Sequence, residues 1–534
     1  MRQHRSKFLP GILLVFSFLA CQKNGQPKNF ILITLDTQRA DHVSAYGATN
    51  SATPNIDLLA REGILFKNAY SLIPITLPSH SSIFFSERPY EIKTYNNGQR
   101  VGAKRSTPSF VNIFRKKGFA TAAFVSLGIV ESRFGLDQGF ELYEDKFPSD
   151  RWYLTAAEVN ERVFPWLEKN RDRPFFVWIH YSDPHDPYAP PSSPIDLRLY
   201  LNDRFVYETC LQKYTLNQVR LDLEPGKNTL KIEFQSEFDQ SQEEFVGRLD
   251  QLEFSPAPDQ KKLSAGFNQG WFVRDADKVF FFKHNNLIEI DNRANLKQIQ
   301  LSFRGKPLLS VQANRICYRR EVEYMDGQIG KLWEKLKGLQ AFDKTAILLA
   351  GDHGEGLGEY RFIFGYPYFG HIHYLSDVYM KIPLIIRDPS SPQKGVVREE
   401  FVSLVDIAPT ITKIMGFNPF PHFRGRDLLS LPKNEKGVIF EETYKPEAVR
   451  DRFGVLSYPW HLIFTPQDGT YELFDLEKDP QEKVNLCQGQ DFPSELWPLK
   501  QKVETLARNA LSRKQDIKVD ERTKEMLRAL GYVR

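Results

Sequence analysis

Four short apolar runs constrain this chain more than anything else in it. Residues 30–35 (Phe-Ile-Leu-Ile-Thr-Leu) end in Asp36, and residues 345–350 are followed by Gly351-Asp352. Residues 175–179 lead into His180, and residues 382–386 form the fourth run. Apolar runs without polar alternation suit strands buried on both faces of a parallel sheet. Such a sheet binds ligands beyond the carboxyl ends of its strands, so Asp36 and Asp352 stand where chemistry is done. Between the runs, residues 54–63, 321–339 and 405–415 carry helical periodicity. Strand alternating with helix implies a layered α/β fold.

Residues 195–315 interrupt that alternation. Val219, Leu221 and Leu223 alternate with polar residues, Glu224-Pro225-Gly226-Lys227-Asn228 offers turn chemistry, and Leu230, Ile232 and Phe234 alternate again. This reads as a hairpin. Further short strands at 279–282, 287–290 and 298–303 make the segment an inserted all-β, sandwich-like module. The hairpin resembles jelly-roll modules found beside carbohydrate-active enzymes. After residue 437, strands at 455–457, 461–464 and 471–474 form a meander, and a helix at 521–530 completes a small C-terminal α+β subdomain, 437–534. A chain of 534 residues exceeds one ordinary core, which agrees with several units. Its 71 basic residues nearly balance 67 acidic ones, so no nucleic-acid partner is expected.

Residues 1–21 read as a targeting segment. Arg2, Arg5 and Lys7 precede an apolar run at 8–20, shorter than the roughly 20 residues that span a bilayer. Leu19-Ala20-Cys21 resembles a bacterial lipobox, with Phe18 where leucine is usual. Cleavage there leaves Cys21 as a lipidated first residue, tethered through 22–28 to a bacterial membrane in the periplasm or at the cell surface. A plain signal peptide followed by a chance cysteine is the other reading. Cys210, Cys317 and Cys487 remain, enough for one disulfide at most.

Several segments carry chemistry. Taken alone, Asp36 is a turn or cap residue, Thr76 a loop residue before a proline, and His180 or His185 a satisfied structural imidazole. Together they form a pattern. Thr76-Leu77-Pro78-Ser79-His80 leads into a helical segment in which Ser79 can cap the helix. A hydroxyl at a helix N-terminus meets N–H groups and a partial positive charge, which favour a tetrahedral sulfate or phosphate. Gly351-Asp352-His353-Gly354-Glu355-Gly356-Leu357-Gly358-Glu359 places an acid and an imidazole side by side at a strand end. Its glycines allow close backbone approach to an ion. Asp with His adds nitrogen to the donor set and admits Mn²⁺ or Zn²⁺, whereas an all-oxygen site points to Ca²⁺ or Mg²⁺.

In order and spacing, residues 36–42, 46–47, 53–57 and 65–70 closely resemble the N-terminal signature of the sulfatase family in the alkaline-phosphatase superfamily. Asp183-Pro184-His185-Asp186-Pro187-Tyr188, Gly370-His371-Ile372-His373-Tyr374 and Tyr471-Glu472-Leu473-Phe474-Asp475 match further family phrases, as does the ending Leu527-Arg528-Ala529-Leu530-Gly531-Tyr532-Val533. The resemblance covers about residues 28–190 and 318–534, and implies a catalytic domain at 28–190 and 318–436. It implies one divalent metal held by Asp36, Thr37, Asp352 and His353, with Thr37 where many sulfatases carry a second Asp. Thr76 falls where sulfatases carry the cysteine or serine oxidised to formylglycine; superfamily phosphodiesterases and phosphotransferases use a threonine nucleophile. His80 replaces an arginine and brings a charge that titrates near neutral pH. His185 faces the leaving group or the ester oxygens, His371 contacts the transferred group, and His180 supports the site. His373 is the weaker alternative to His371. The implied activity is hydrolysis of sulfate or phosphate esters; the alternative is a phosphodiesterase or phosphotransferase acting on envelope or glycan substrates. The competing reading is a catalytically inactive surface lipoprotein whose β module binds glycan.

Overall fold

The computed structural model describes residues 27–101, 107–191, 196–210, 215–235, 245–255, 263–268, 274–275, 278–282, 287–307, 311–361, 367–444, 450–487, 492–514, 519–530 and 532. The proposed leader and Cys21 lie outside them. Among the described residues, no helix is long and apolar enough to cross a membrane.

A nine-stranded mixed sheet organises the catalytic domain. Asn29–Leu35 is buried along its whole length and pairs in parallel with Thr345–Gly351 on one side and Phe175–Tyr181 on the other. Alternate residues serve opposite faces. Phe30, Leu32, Trp178 and Leu348 enter one core; Ile31, Ile33, Val177 and Ile347 enter the other. The fourth apolar run departs from the parallel expectation. Pro383, which has no N–H to give, splits it into Lys381–Ile382 and Leu384–Arg387. The second piece runs antiparallel to Thr345–Gly351.

The inserted segment is a sandwich of two antiparallel five-stranded sheets. The expected hairpin at 219–234 is not one. Leu216–Asp222 pairs with Gln298–Pro307 in one sheet, while Gly226–Gln235 pairs with Asp196–Leu201 and Leu287–Asn292 in the other. Alternation fixes only that one face is buried, and two facing sheets satisfy it as well as two paired strands. Asn228 holds the corner, accepting from Glu224 N–H and donating to Glu224 C=O, each at 2.8 Å.

The sandwich core does not close on itself. Leu199, Leu221, Ile232 and Phe303 continue into Tyr188, Cys317, Tyr318 and Leu357 of the catalytic domain. Accordingly, helix Val311–Gly338 begins ten residues before the periodicity suggested, and its first turns bury Ala313, Cys317 and Tyr318 in this shared core.

The C-terminal meander gains a fourth strand, Ile439–Thr443, and a covering helix, Trp497–Leu511. Helix Glu521–Ala529 belongs elsewhere: Met526 and Leu527 are buried in the central-sheet core with Phe84, Phe134 and Trp178.

The shared core makes a prediction. Replacing residues 196–307 with a short Gly/Ser linker uncovers Tyr188, Cys317 and Tyr318. Burying one large apolar side chain is worth about 1.5–3 kcal/mol, so the melting temperature should fall clearly below that of the full chain. An unchanged melting temperature would show that the catalytic domain closes its core alone.

Candidate active site

The parallel register sets Leu35 opposite Gly351, so the residues that follow, Asp36 and Asp352, emerge side by side at the carboxyl edge of the sheet. Asp36, Asp352 and His353 each present a ligand atom, all within 4.8 Å of one another, and all three residues are buried. Asp352 Oδ1 accepts from the backbone N–H of Thr37 at 3.1 Å and of His353 at 2.7 Å, which turns Oδ2 inward without a partner. Neither Asp36 carboxylate oxygen has an aligned donor; the nearest is His180 Nε2 at 3.3 Å. His180 is oriented from behind by Ser126, whose hydroxyl lies 3.0 Å from Nδ1.

His353 Nδ1–H donates to the carbonyl of Gly354 at 2.9 Å, so Nε2 offers its lone pair to the site. Thr76 Oγ1 lies 3.2 Å from that Nε2. Burial drives both Asp352 and His353 towards their neutral forms, and the Asp36 charge pushes Asp352 further up. Burial works on Asp36 in the same direction, but the His180 ring 3.3 Å away and the surrounding imidazoles outweigh it and hold Asp36 below the usual carboxylate range. Three buried, convergent donors with unfilled carboxylate oxygens fit a divalent cation. Gly354 has a different task from the expected one: a Cβ there would meet Val378 C=O at 2.1 Å.

Thr37 does not join the donor set as expected. Its backbone adopts a positive φ of 56°, and its hydroxyl donates to the Asp36 carbonyl at 2.7 Å. What it contributes is the N–H that orients Asp352.

Thr76 is the first residue of helix Thr76–Phe85. Ser79 is not the cap, since its N–H already closes the first turn onto Ile75 C=O at 3.0 Å. Leu77 N–H is held by Asn97 Oδ1 at 2.9 Å, and Pro78 has none, so the terminus offers its dipole more than open N–H donors.

His80 does not carry the expected titratable charge into the site. Its Nδ1–H donates to Thr76 C=O at 2.8 Å, and Nε2 accepts from Thr34 Oγ1 at 2.9 Å, whose oxygen in turn accepts from Trp178 Nε1–H. Both nitrogens are engaged by the scaffold. Burial, reinforced by His180, pulls its pKa down to about 3, so the ring is neutral near pH 7.

His185 and His371 pack edge to face with ring centroids 5.0 Å apart. His371 Nδ1–H donates to Glu355 Oε2 at 2.8 Å, leaving a buried Nε2 without a partner. Glu355 Oε1 accepts from Tyr188 O–H at 3.0 Å. His185 Nδ1–H donates to Asp186 C=O, and its Nε2 meets the hydroxyl of Tyr532, both at 2.6 Å. Sequence reading assigned no role to Glu355, Tyr188 or Tyr532. Glu355 stands two residues after His353 and Tyr188 three after His185; Tyr532 lies in the family-like ending 527–533, which gives no sign that it reaches the site.

The sulfatase family model matches residues 28–417, and a model described as N-sulphoglucosamine sulphohydrolase, C-terminal, matches 366–509. A curated relative, N-acetylglucosamine-6-O-sulfatase of Bacteroides thetaiotaomicron, is 22% identical over 86% of this chain and 82% of its own. Among solved structures, the phosphonate monoester hydrolase of Agrobacterium radiobacter aligns with a TM-score of 0.57 at 17% identity, over 92% of this chain and 96% of that one. A second, solved with its substrate D-glucosamine-2-N,6-O-disulfate, aligns with a TM-score of 0.58 at 17% identity, over 93% and 99%.

The buried neutral His80 has a measurable consequence. Its folded pKa lies below the unfolded value of 6.5, so the unfolded chain binds the extra proton and stability falls as pH drops below 6.5. Between pH 7 and pH 5 this group alone should cost about 2 kcal/mol. His80→Asn keeps a donor for Thr76 C=O and removes the titration. In chemical denaturation the variant should lose less stability than wild type over that interval; equal losses would show that His80 is not held neutral.

Proposed function

The chain belongs to the sulfatase family, and from that premise we propose that it hydrolyses phosphate esters in preference to sulfate esters, with Thr76 as nucleophile beside a single metal ion. Membership supports an ester hydrolase of the sulfate and phosphate class over an inactive binding protein. The finer assignment is carried by one observation: Thr76 Oγ1 stands 3.2 Å from His353 Nε2, next to the unpartnered oxygens of Asp36 and Asp352. Oxidation of a threonine yields a ketone, so the aldehyde route of the formylglycine enzymes is closed to this side chain. A hydroxyl at this position has to act as an alkoxide.

Asp36, Asp352 and His353 would hold the ion, and their mixed oxygen and nitrogen set favours Zn²⁺ or Mn²⁺ over Ca²⁺. When bound, such an ion lowers the pKa of a neighbouring hydroxyl and draws the ester oxygens towards positive charge. His371 presents Nε2 to the transferred group, with its tautomer set by Glu355 and Tyr188. His185 would serve the leaving oxygen. Neutral His80 builds the wall under Thr76 and carries no charge into the site.

The organic part of the substrate is proposed to be a glycan. The supporting relatives are an N-acetylglucosamine sulfatase and a protein solved with a glucosamine disulfate, and the phosphonate hydrolase supports the phosphorus branch. Export and lipid anchoring through Cys21 are proposed from the basic, apolar and cysteine sequence of residues 2–21. An intact-mass measurement of the mature N-terminus should find lipidated Cys21; an unmodified chain starting elsewhere removes the anchor.

Two variants test the site. Asp352→Ala should lose bound metal by elemental analysis while its circular dichroism stays native. Thr76→Ala should lose at least the roughly 100-fold in kcat that a catalytic group supplies, and Thr76→Ser should keep part of the activity. Phosphodiester turnover should exceed aryl sulfate turnover in the wild type. Full metal content in Asp352→Ala removes that ligand, and a fully active Thr76→Ala removes the nucleophile.

A further inference from the structure

The turn that presents His371 is held in a backbone state that its residues do not adopt by preference. His371 lies between Gly370, with φ 111°, and Ile372, with φ 93°. Glycine enters that region freely, but a β-branched residue there is strained. Such strain persists only where surrounding contacts over-determine it, and it gathers at working sites. Three contacts impose it here. The Tyr368 hydroxyl donates to the His371 carbonyl. The Thr443 hydroxyl donates to the Ile372 carbonyl at 2.5 Å. The Ile372 side chain packs against the core that holds Ile73, Ile75, Tyr95 and Tyr444. A glycine at 372 would relieve the strain and lose that anchor.

Thr443 is the buried last residue of strand Ile439–Thr443. The residue before it, Glu442, reaches a different part of the site. Its N–H donates to Leu72 C=O at 2.9 Å, and its Oε1 accepts from Tyr90 N–H at 3.2 Å. Leu72 stands four residues before Thr76, and Ile73 and Ile75, which lie between them, belong to the core on which Ile372 rests. One strand end therefore grips both the chain that leads to Thr76 and the turn that carries His371. A valine would fill the space of Thr443; only the hydroxyl joins the strand to the turn.

We propose that Thr443 is a positioning residue: by fixing the Ile372 carbonyl it holds the strained turn and keeps His371 Nε2 aimed at the transferred group. This rests on the role given to His371 above. Glu355 sets the ring's tautomer through one hydrogen bond at 2.8 Å, and a single bond leaves the ring free to pivot about it. With the carbonyls of His371 and Ile372 both held, the base of the side chain is fixed as well. The C-terminal subdomain, which supplies Thr443, thus takes part in the reaction without touching the substrate.

The test is steady-state kinetics of the metal-loaded enzyme on bis(4-nitrophenyl) phosphate and 4-nitrophenyl sulfate. Thr443→Val removes the hydroxyl within the same volume. Misplacing a reacting group by a change away from the chemistry can cost about 100-fold, so kcat should fall about 10- to 100-fold with KM nearly unchanged. Thr443→Ser restores the donor and should return kcat to near the wild-type value. His371→Ala should be slower still, and adding Thr443→Val to it should cost nothing more, because both act through one ring. If Thr443→Val does not fold, Ile372→Gly carries the same test, since it accepts the φ without strain and loses the anchor: kcat should fall, with no further loss on top of His371→Ala. Wild-type kcat in Thr443→Val or in Ile372→Gly, a loss in Thr443→Ser as large as in Thr443→Val, or a full additional loss on top of His371→Ala overturns the positioning role. If His371→Ala is impaired and Thr443→Val is not, only that role falls; if His371→Ala is fully active, the reading of His371 falls and the role of Thr443 with it.

Discussion

Two carboxylates buried face to face, with three oxygens left unsatisfied, are the constraint around which this molecule is arranged. At 4.8 Å or less, two unit charges repel by about 3.5 kcal/mol even at an effective dielectric of 20. Desolvation adds to that cost. The neighbouring imidazoles relieve only part of it, since burial keeps His80, His185 and His353 towards their neutral forms. A divalent cation resolves the conflict by compensating both charges and filling the open oxygens. The scaffold prepares for it: two backbone N–H groups pin one oxygen of Asp352 so that the other faces inward, and His180 orients Asp36.

That arrangement depends on one parallel strand pair. Asn29–Leu35 and Thr345–Gly351 are separated by more than half the chain, yet their register alone decides that Asp36 and Asp352 meet. The surrounding elements protect this pairing. Arg39, buried three residues after Asp36, binds Asp41 and Glu359 and donates to Glu355 C=O at 3.1 Å, tying the first strand's exit to the glycine-rich loop. The Tyr318 hydroxyl, from a helix that also packs under the β module, donates to Thr37 C=O at 2.8 Å and accepts from Arg39 N–H at 3.0 Å. The module therefore braces the loop that carries Asp36, through Tyr318.

Much of this was legible in the residues because apolar runs ending in acids locate strand ends, and strand ends of a parallel sheet converge. Asp36, Asp352 and His353 come together for that reason, and His185 follows close behind a third such strand end, whereas Thr76 arrives at a helix start and His371 after a strand of a separate two-stranded sheet. What escaped depends on quantities that pattern does not encode. The Thr37 hydroxyl is turned away by a positive φ, and a residue's identity does not announce that backbone state. His80 loses its expected charge to burial and to the neighbouring His180 ring, and its Nε2 to the Thr34 hydroxyl, a partner 46 positions away. The strands around Pro225 alternate in the same way whether they pair with each other or face each other across a sandwich. Tyr532 reaches the site by long-range packing of a helix whose amphipathic pattern says only that one side is buried.

The central claim is that a threonine hydroxyl, and not a formylglycine or a free water, makes the bond to the transferred group. The most direct measurement is rapid acid quench of the metal-loaded enzyme during turnover, followed by peptide mass mapping of the segment containing Thr76. The account predicts a phosphoryl or sulfuryl adduct on an otherwise unmodified Thr76, absent from the enzyme without substrate and from Thr76→Ala. Turnover with no adduct in the pre-steady-state phase, together with single-step inversion at a chiral phosphate, would contradict it and give the attack to water.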